Sequence, residues 1–262
     1  MIKVLKRGSV IFREWKIIKN LTIRNIKIKY KGTWLGFFWV ILQPLCTILI
    51  LYFVFSHVMR MDIEKFPLFL CAGVLPWTFF ASSLVEATGS VITNSNLVLK
   101  VNFPLEILPL SYCLSNLFDF IFSLVILMPI LYFFGIHIPV YYLVFLIPII
   151  IFHLFFVAGL SFLFSVAHVF YKDVGHLLSV VLMFWFYLTP IFYSIDHLSD
   201  KIKLFYSFNP MMHFINAYRE ILFSVSLPGV MLYAKIMAIG VFFLFLGWIV
   251  FMAKEKSMVK EL

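Results

Sequence analysis

Charge is scarce in this chain of 262 residues: Asp, Glu, Lys and Arg make up 13% of it, where an ordinary soluble domain carries about 25%. Cysteine is scarce too. Cys46, Cys71 and Cys113 each lie inside an apolar run and none stands in CxxC spacing, which argues against a disulfide framework or a thiolate metal site and leaves small buried hydrophobes. No GxxxxGKS/T loop occurs, so the chain does not hold ATP in the Walker manner. HExxH and His/Cys clusters at metal spacing are missing as well. The N-terminal residues lack the apolar stretch and small-residue cleavage site of a secretory signal.

What the chain has in excess is apolar surface. Hydrophobic residues make up 63%, against about 45–50% in soluble domains, and no soluble core of this length hides that much. The solvent must be lipid, and the expected class is an all-α, multi-pass integral membrane protein. The formal charge is +9, and ten of the 21 Lys and Arg lie in the first 31 positions. Such a basic end fits the positive-inside rule for a cytoplasmic flank better than it fits nucleic-acid binding.

From Val10 to Lys31, residues placed 100° apart form two stripes. Arg13, Lys16, Asn20, Arg24, Lys27 and Lys31 make a basic one; Ile11, Trp15, Ile18, Thr22, Ile26 and Tyr30 make an apolar one. Ile28 and Lys29 are the misfits. Residues 1–33 therefore read as an amphipathic helix too charged to span, lying along the cytoplasmic interface with its basic side toward anionic lipid head groups.

Residues 34–262 read as one transmembrane domain. Apolar runs near the spanning length of about 17–25 residues cover Trp34–Val58, Phe66–Glu86, Ile107–Phe134, Tyr141–Phe170, Val174–Tyr193 and Val230–Met252, which predicts six spans. With the N-terminus inside, fifteen Lys and Arg fall on inner flanks and six on outer ones, so both termini are expected in the cytoplasm.

Two connections carry more pattern than a tether needs. The inner one, Asn94–Leu110, mixes apolar residues with Lys100 and Glu106, and Pro104 ends any helix before the third span. The outer one, Ser194–Gly229, contains "FNPMMHFINAYREILFSV". There Asn209 is a good N-cap with Pro210 at the first helical position, and Met211, Phe214, Ile215, Tyr218, Ile221, Leu222 and Val225 share a face. This helix is too short to span and too apolar for open solvent, so it reads as re-entrant or interfacial. Arg219 and Glu220 are neighbours about 100° apart. They do not pair on one face, and at least one is expected to bond a neighbouring element.

Chemistry-bearing residues inside the spans are few. His153 reads as a bundle-facing histidine with a local hydrogen bond. Asp119, near Asn116 in the third span, is a costly intramembrane carboxylate with no second acid at catalytic spacing in the sequence. Glu86 falls near the inner membrane boundary, where water reaches it. The chain has 33 Phe, 12 Tyr and 6 Trp, mostly packing and lipid-facing mass; Trp77, Trp185, Tyr187 and Tyr193 are the aromatics placed to line a path.

Taken together, "RNIKIKYKGTWLGFFWVILQP", "LFLCAGVLPWTFFASSL", "NSNLVLKVNFPLEILPL", "FYKDVGHLLSVVLMFWFYLTPIFYS" and "FNPMMHFINAYRE" resemble the permease subunit of ABC-2-type exporters. The likeness is greatest to the polysaccharide branch that exports O-antigen, capsule or teichoic acid. The resemblance implies six spans, a homodimer in the plasma (inner) membrane and two copies of a separate cytoplasmic ATPase subunit that holds ATP and Mg. It also implies a lipid-linked polysaccharide passing through a central channel, with no catalysis, cofactor, metal or nucleic acid on this chain. By the same likeness Asn94, Asn96, Leu97, Val98, Lys100 and Phe103 form a coupling helix docked on the ATPase. Asn209, Pro210, Met211, Tyr218, Arg219 and Glu220 belong to an outer gate helix. Rival readings are an ABC-2 permease for a drug or lipid and, from another class, a membrane-embedded transferase using Asp119 and His153.

Overall fold

The computed structural model describes residues 14–60, 63–101, 103–194 and 199–262. Arg13 and the start of the predicted amphipathic helix lie outside them, as does Asn102 in the inner connection. Among the described residues every regular element is a helix.

Helix α1, Trp15–Tyr30, buries Ile18, Leu21 and Asn25. That face is rotated from the apolar stripe read in the sequence: Trp15 is 54% exposed. Polar pairing explains the rotation, because Asn25 Nδ2 donates to Ser111 Oγ at 3.0 Å and Arg24 Nη2 to Asn94 Oδ1 at 2.7 Å. The helix thus leans on the bundle with part of its polar side. Gly32 and Gly36 follow at φ +76° and +51°, a left-handed backbone that suits glycine, and they turn the chain into the first apolar segment.

Five helical segments among the described residues are long and apolar enough to cross a membrane: Gly36–Val58, Phe66–Thr88, Ile107–Phe133, Val140–Phe170 and Val230–Glu261. The first comprises a 3₁₀ turn, helix α2 (Trp39–Tyr52) and a π turn over Phe53–Val58. Phe66–Thr88 is α3, followed by the short α4 (Ser90–Thr93) and α5 (Ser95–Lys100). Ile107–Phe133 is α6; the next span joins the short α7 (Val140–Val144) to α8 (Leu146–Phe170). Helix α9 covers Val174–Tyr187, α10 Asp200–Ser207, α11 Pro210–Leu222 and α12 Val230–Glu261.

The expected fifth span departs from prediction. Helix α9 has 14 residues, about 21 Å at 1.5 Å per residue, short of a hydrocarbon core about 30 Å thick. It ends where Pro190 pushes Thr189 out of helical backbone, and Leu188–Ser194 runs on without helix.

Helix α3 is the centre of the bundle, with α2, α6, α8 and α11 packed around it. The main core joins it to α6, α8 and α11 through stacked rings such as Phe80–Phe156 at 5.5 Å. Helices α8 and α12 make the closest approach. A Cβ on Gly159 would collide with the Phe243 carbonyl, and one on Gly247 with the Gly159 carbonyl. Small residues let backbones meet where lipid supplies no hydrophobic drive. A second core at one end of the bundle gathers Ile18 and Leu21 of α1, Val98, Phe103, Leu105, and Phe251 and Met258 of α12. Of the cysteines, Cys71 and Cys113 are buried but Cys46 is exposed, because the first apolar segment turns most of its surface outward.

Candidate functional site

The last turn of α1 meets the bundle in a polar cluster. Lys29 Nζ lies 3.1 Å from Glu86 Oε1 of α3 and 3.0 Å from Asp119 Oδ2 of α6, and it donates to Asn116 Oδ1 at 2.8 Å. Tyr30 OH donates to the same Asp119 oxygen at 2.8 Å. Asn116 Nδ2 donates to Glu86 Oε2 at 2.7 Å. Burial is the largest influence on the Lys29 ammonium and lowers its pKa; Glu86 and Asp119 together outweigh it, so the net shift is upward. Burial, then the hydrogen bond and charge of Asp119, push the Tyr30 hydroxyl up as well.

Asp119 is therefore not the isolated carboxylate the sequence suggested, and Glu86 is not simply hydrated. Lys29, the misfit of the helical stripes, is the residue that joins them. His153 is elsewhere: fully buried, its Nδ1 sits 3.4 Å from Tyr218 OH and its ring stacks on Phe214. Asp119 and His153 have separate sets of partners, which leaves the transferase reading without a shared site.

Beside the cluster opens a cleft of about 310 Å³ between α1, α2, α3 and α6, with Gln43, Thr78, Ser82 and Asp119 in its walls beside Trp39 and Phe79. The aromatics expected to line a path are distributed differently. Trp77 is buried among Phe80, Trp185 and Phe186. Trp185 is half-buried and donates to Asn209 Oδ1 at 2.9 Å. Tyr187 is exposed, and Tyr193 OH pairs with Tyr206 OH at 2.8 Å. Apolar periodicity does not say which side of an all-apolar helix faces its neighbours, and Trp77 faces inward.

In the inner connection Asn94 breaks the helix between α4 and α5 while its Nδ2 donates to Ser90 O at 2.7 Å. Val98 and Phe103 are buried in the second core and Leu97 is half-buried. Asn96, Leu99, Lys100 and Val101 are the exposed ones. The apolar knob available to another molecule is thus Leu99 and Val101. Lys16 and Lys27 of α1 are exposed as expected for head-group contacts, whereas Arg24 is held by Asn94.

At the opposite end, Asn209 caps α11 through Met211 N at 3.1 Å, with Pro210 in the first turn. Its Nδ2 also donates to Thr189 Oγ1 at 2.9 Å, which ties α11 to the end of α9. Met211, Tyr218 and Arg219 are buried; Glu220 is half-buried. Arg219 Nη1 donates to Pro190 O at 2.6 Å and Nη2 to Ile191 O at 2.5 Å, while its guanidinium lies 3.7 Å from the Phe69 ring centre. This is the bond to a neighbouring element expected of one of the two charges.

The family model for ABC-2 type transporters matches residues 17–223. The chain belongs to the ABC-2 type transporter family. The match runs from α1 through α11, so the polar cluster, the inner connection and the capped outer helix all lie on the ABC-2 domain. Over 248 residues this ABC-2 chain is 27% identical to the O-antigen export system permease protein RfbA of Myxococcus xanthus, covering 94% of this chain and 95% of that one. An RfbA of Klebsiella pneumoniae is 33% identical over 202 residues, 77% of this chain and 78% of the relative. The polysialic acid transport protein KpsM of Escherichia coli is 30% identical over 82 residues, 30% of this chain and 32% of the relative.

Proposed function

We propose that this chain is the membrane-spanning permease subunit of an ATP-driven exporter that moves a lipid-linked, O-antigen-like polysaccharide across the inner membrane. Similarity along nearly the whole chain to permeases named for O-antigen export carries this reading. Two copies pair around the polymer path, and a separate ATPase, also in two copies, holds ATP and Mg²⁺. Short α9, completed by the non-helical Leu188–Ser194, is the fifth of six crossings. The excess of Lys and Arg on one set of flanks supports placing both termini in the cytoplasm.

Closure of the ATPase dimer pushes on α5 through Leu99 and Val101, and the push reaches α1 through the Arg24–Asn94 bond. Helices α10 and α11 fold back at the outer end and seal the path between transport events. The test is export in cells whose own permease gene is deleted, with this chain and its ATPase supplied together. Polymer should reach the surface, and the ATPase alone should leave it inside. Lipid-linked polymer retained in the cytoplasm with both subunits present sinks the proposal.

A further inference from the structure

Helix α3 is buried on every side but one. From Leu68 to Thr88 the residues that keep exposure are Thr78, Ala81, Ser82, Val85 and Glu86, spaced by three and four along a single stripe. Three of the five are polar. On a helix facing lipid such a stripe would be apolar, because hydrocarbon offers no partner for hydroxyls and carboxylates.

Two open clefts of about 310 Å³ each flank the stripe and share Ser82. One is the cleft beside the Lys29 cluster; the other runs between α3 and α9, past Glu86 and Ser179. Each is at the lower end of the range of about 300–1,000 Å³ typical of ligand pockets. Gln43 and Ser179 stand exposed on either side, on α2 and α9. Among the described residues the side chains of Gln43 and Ser82 have no hydrogen-bond partner. Thr78 gives its proton to Val74 O at 2.8 Å and keeps its lone pairs.

We infer that this stripe, Thr78–Ser82–Glu86 with Gln43 and Ser179 beside it, is a hydrated track along which the protomer contacts the sugars of its substrate. The inference rests on the export reading above. Its chemistry fits a hydroxyl-rich polymer. The carboxylates and the Gln43 amide accept from sugar hydroxyls, the amide and serine hydroxyls donate, and Trp39 and Phe79 offer flat faces to sugar C–H bonds. From Thr78 to Glu86 the track rises about 12 Å at 1.5 Å per residue. A second copy of this chain is the other occupant such a face would suit, and the experiment separates the two.

Thr78→Cys, Ser82→Cys and Val125→Cys are made separately in a background carrying Cys46→Ala, Cys71→Ala and Cys113→Ala that still exports. Vesicles containing the permease with its ATPase are treated with a charged, membrane-impermeant thiol reagent. Val125, exposed on α6 among apolar residues, reports a lipid-like setting. The two stripe positions should label roughly tenfold faster than Val125→Cys, since thiolate chemistry needs water, and lipid-linked polymer should slow that labelling. Labelling as slow as Val125→Cys, or labelling indifferent to polymer as a face covered by a second copy would give, overturns the track. Export itself supplies a second readout: Val125→Trp, outside the stripe, should export and Ser82→Trp should not, and equal export by both overturns the assignment. A wild-type complex that moves no polymer overturns the export reading and this one together; an exporting wild type with an unlabelled stripe overturns this one alone.

Discussion

Lys29 and Asp119 are separated by 90 positions in the chain and by 3.0 Å in space. With Glu86 they fasten the amphipathic helix to two spans at once, so the helix is an integral part of the bundle. Its orientation is set by protein contacts at Asn25, Arg24 and Lys29 as well as by lipid.

Replacing Lys29 by Met should therefore detach the last turn of α1 and leave two carboxylates facing each other without a cation. The expected loss is about 1–3 kcal/mol. It should show as faster proteolysis within Gly32–Gly36 and reduced export, with partial recovery in Lys29→Arg. The folded pKa of Lys29 is raised, so its contribution is fully present below the unfolded value of 10.5 and fades only as pH rises beyond that. The proteolysis difference between wild type and Lys29→Met should accordingly not shrink as pH rises from 7 to 9.

The inner connection separates two kinds of residue. Leu99→Asp and Val101→Asp alter exposed positions and should leave the permease as stable as wild type while ATPase binding and export fall. Val98→Asp and Phe103→Ala strike the second core. They should lower thermal stability, Phe103→Ala by about 3–5 kcal/mol. Melting the purified permease beside a pull-down of its ATPase distinguishes the pairs, and equal melting losses in all four would refute the division.

At the outer end, Arg219→Ala removes a buried guanidinium from two carbonyl oxygens and a ring. It should cost about 2–4 kcal/mol, loosen Pro190–Ile191 from α11, and make vesicles leak ions. Glu220→Gln, on a half-buried side chain, should be nearly neutral in both assays. A tight, normally exporting Arg219→Ala vesicle would remove Arg219 from the seal.

Between α8 and α12 there is no room for a side chain at the glycine contact. Gly247→Val should force the helices apart and lower the melting temperature in detergent, whereas Gly229→Ala, with no atom near its absent Cβ, should be neutral. Identical melting curves for the two variants would show that the close approach is not needed.

Much of the fold was legible because long apolar runs have few uses outside a membrane. The start of α11 was legible because Asn209 and Pro210 encode their roles locally. The end of α9 was signalled by Thr189–Pro190, but α2, α3 and α6 run through Pro44, Pro76 and Pro129, so a proline alone does not mark a helix end. The polar cluster was least visible, since Glu86 and Asp119 reach Lys29 only through tertiary packing. Its traces in the sequence were a costly carboxylate inside a span, Asp119, and a lysine out of phase with its own helix.

The first apolar segment buries only Val40, Pro44, Ile48 and Leu51 of α2, while its neighbour α3 is enclosed on all but one side. Lipid tails are as apolar as leucine, so sliding such a segment sideways trades protein neighbours for lipid at little energetic cost. The protomer thus pairs a stiff wall with a compliant one. On the export reading proposed above, a path bounded by a compliant wall would widen for a bulky branch and narrow behind it, which makes girth a weak criterion for passage.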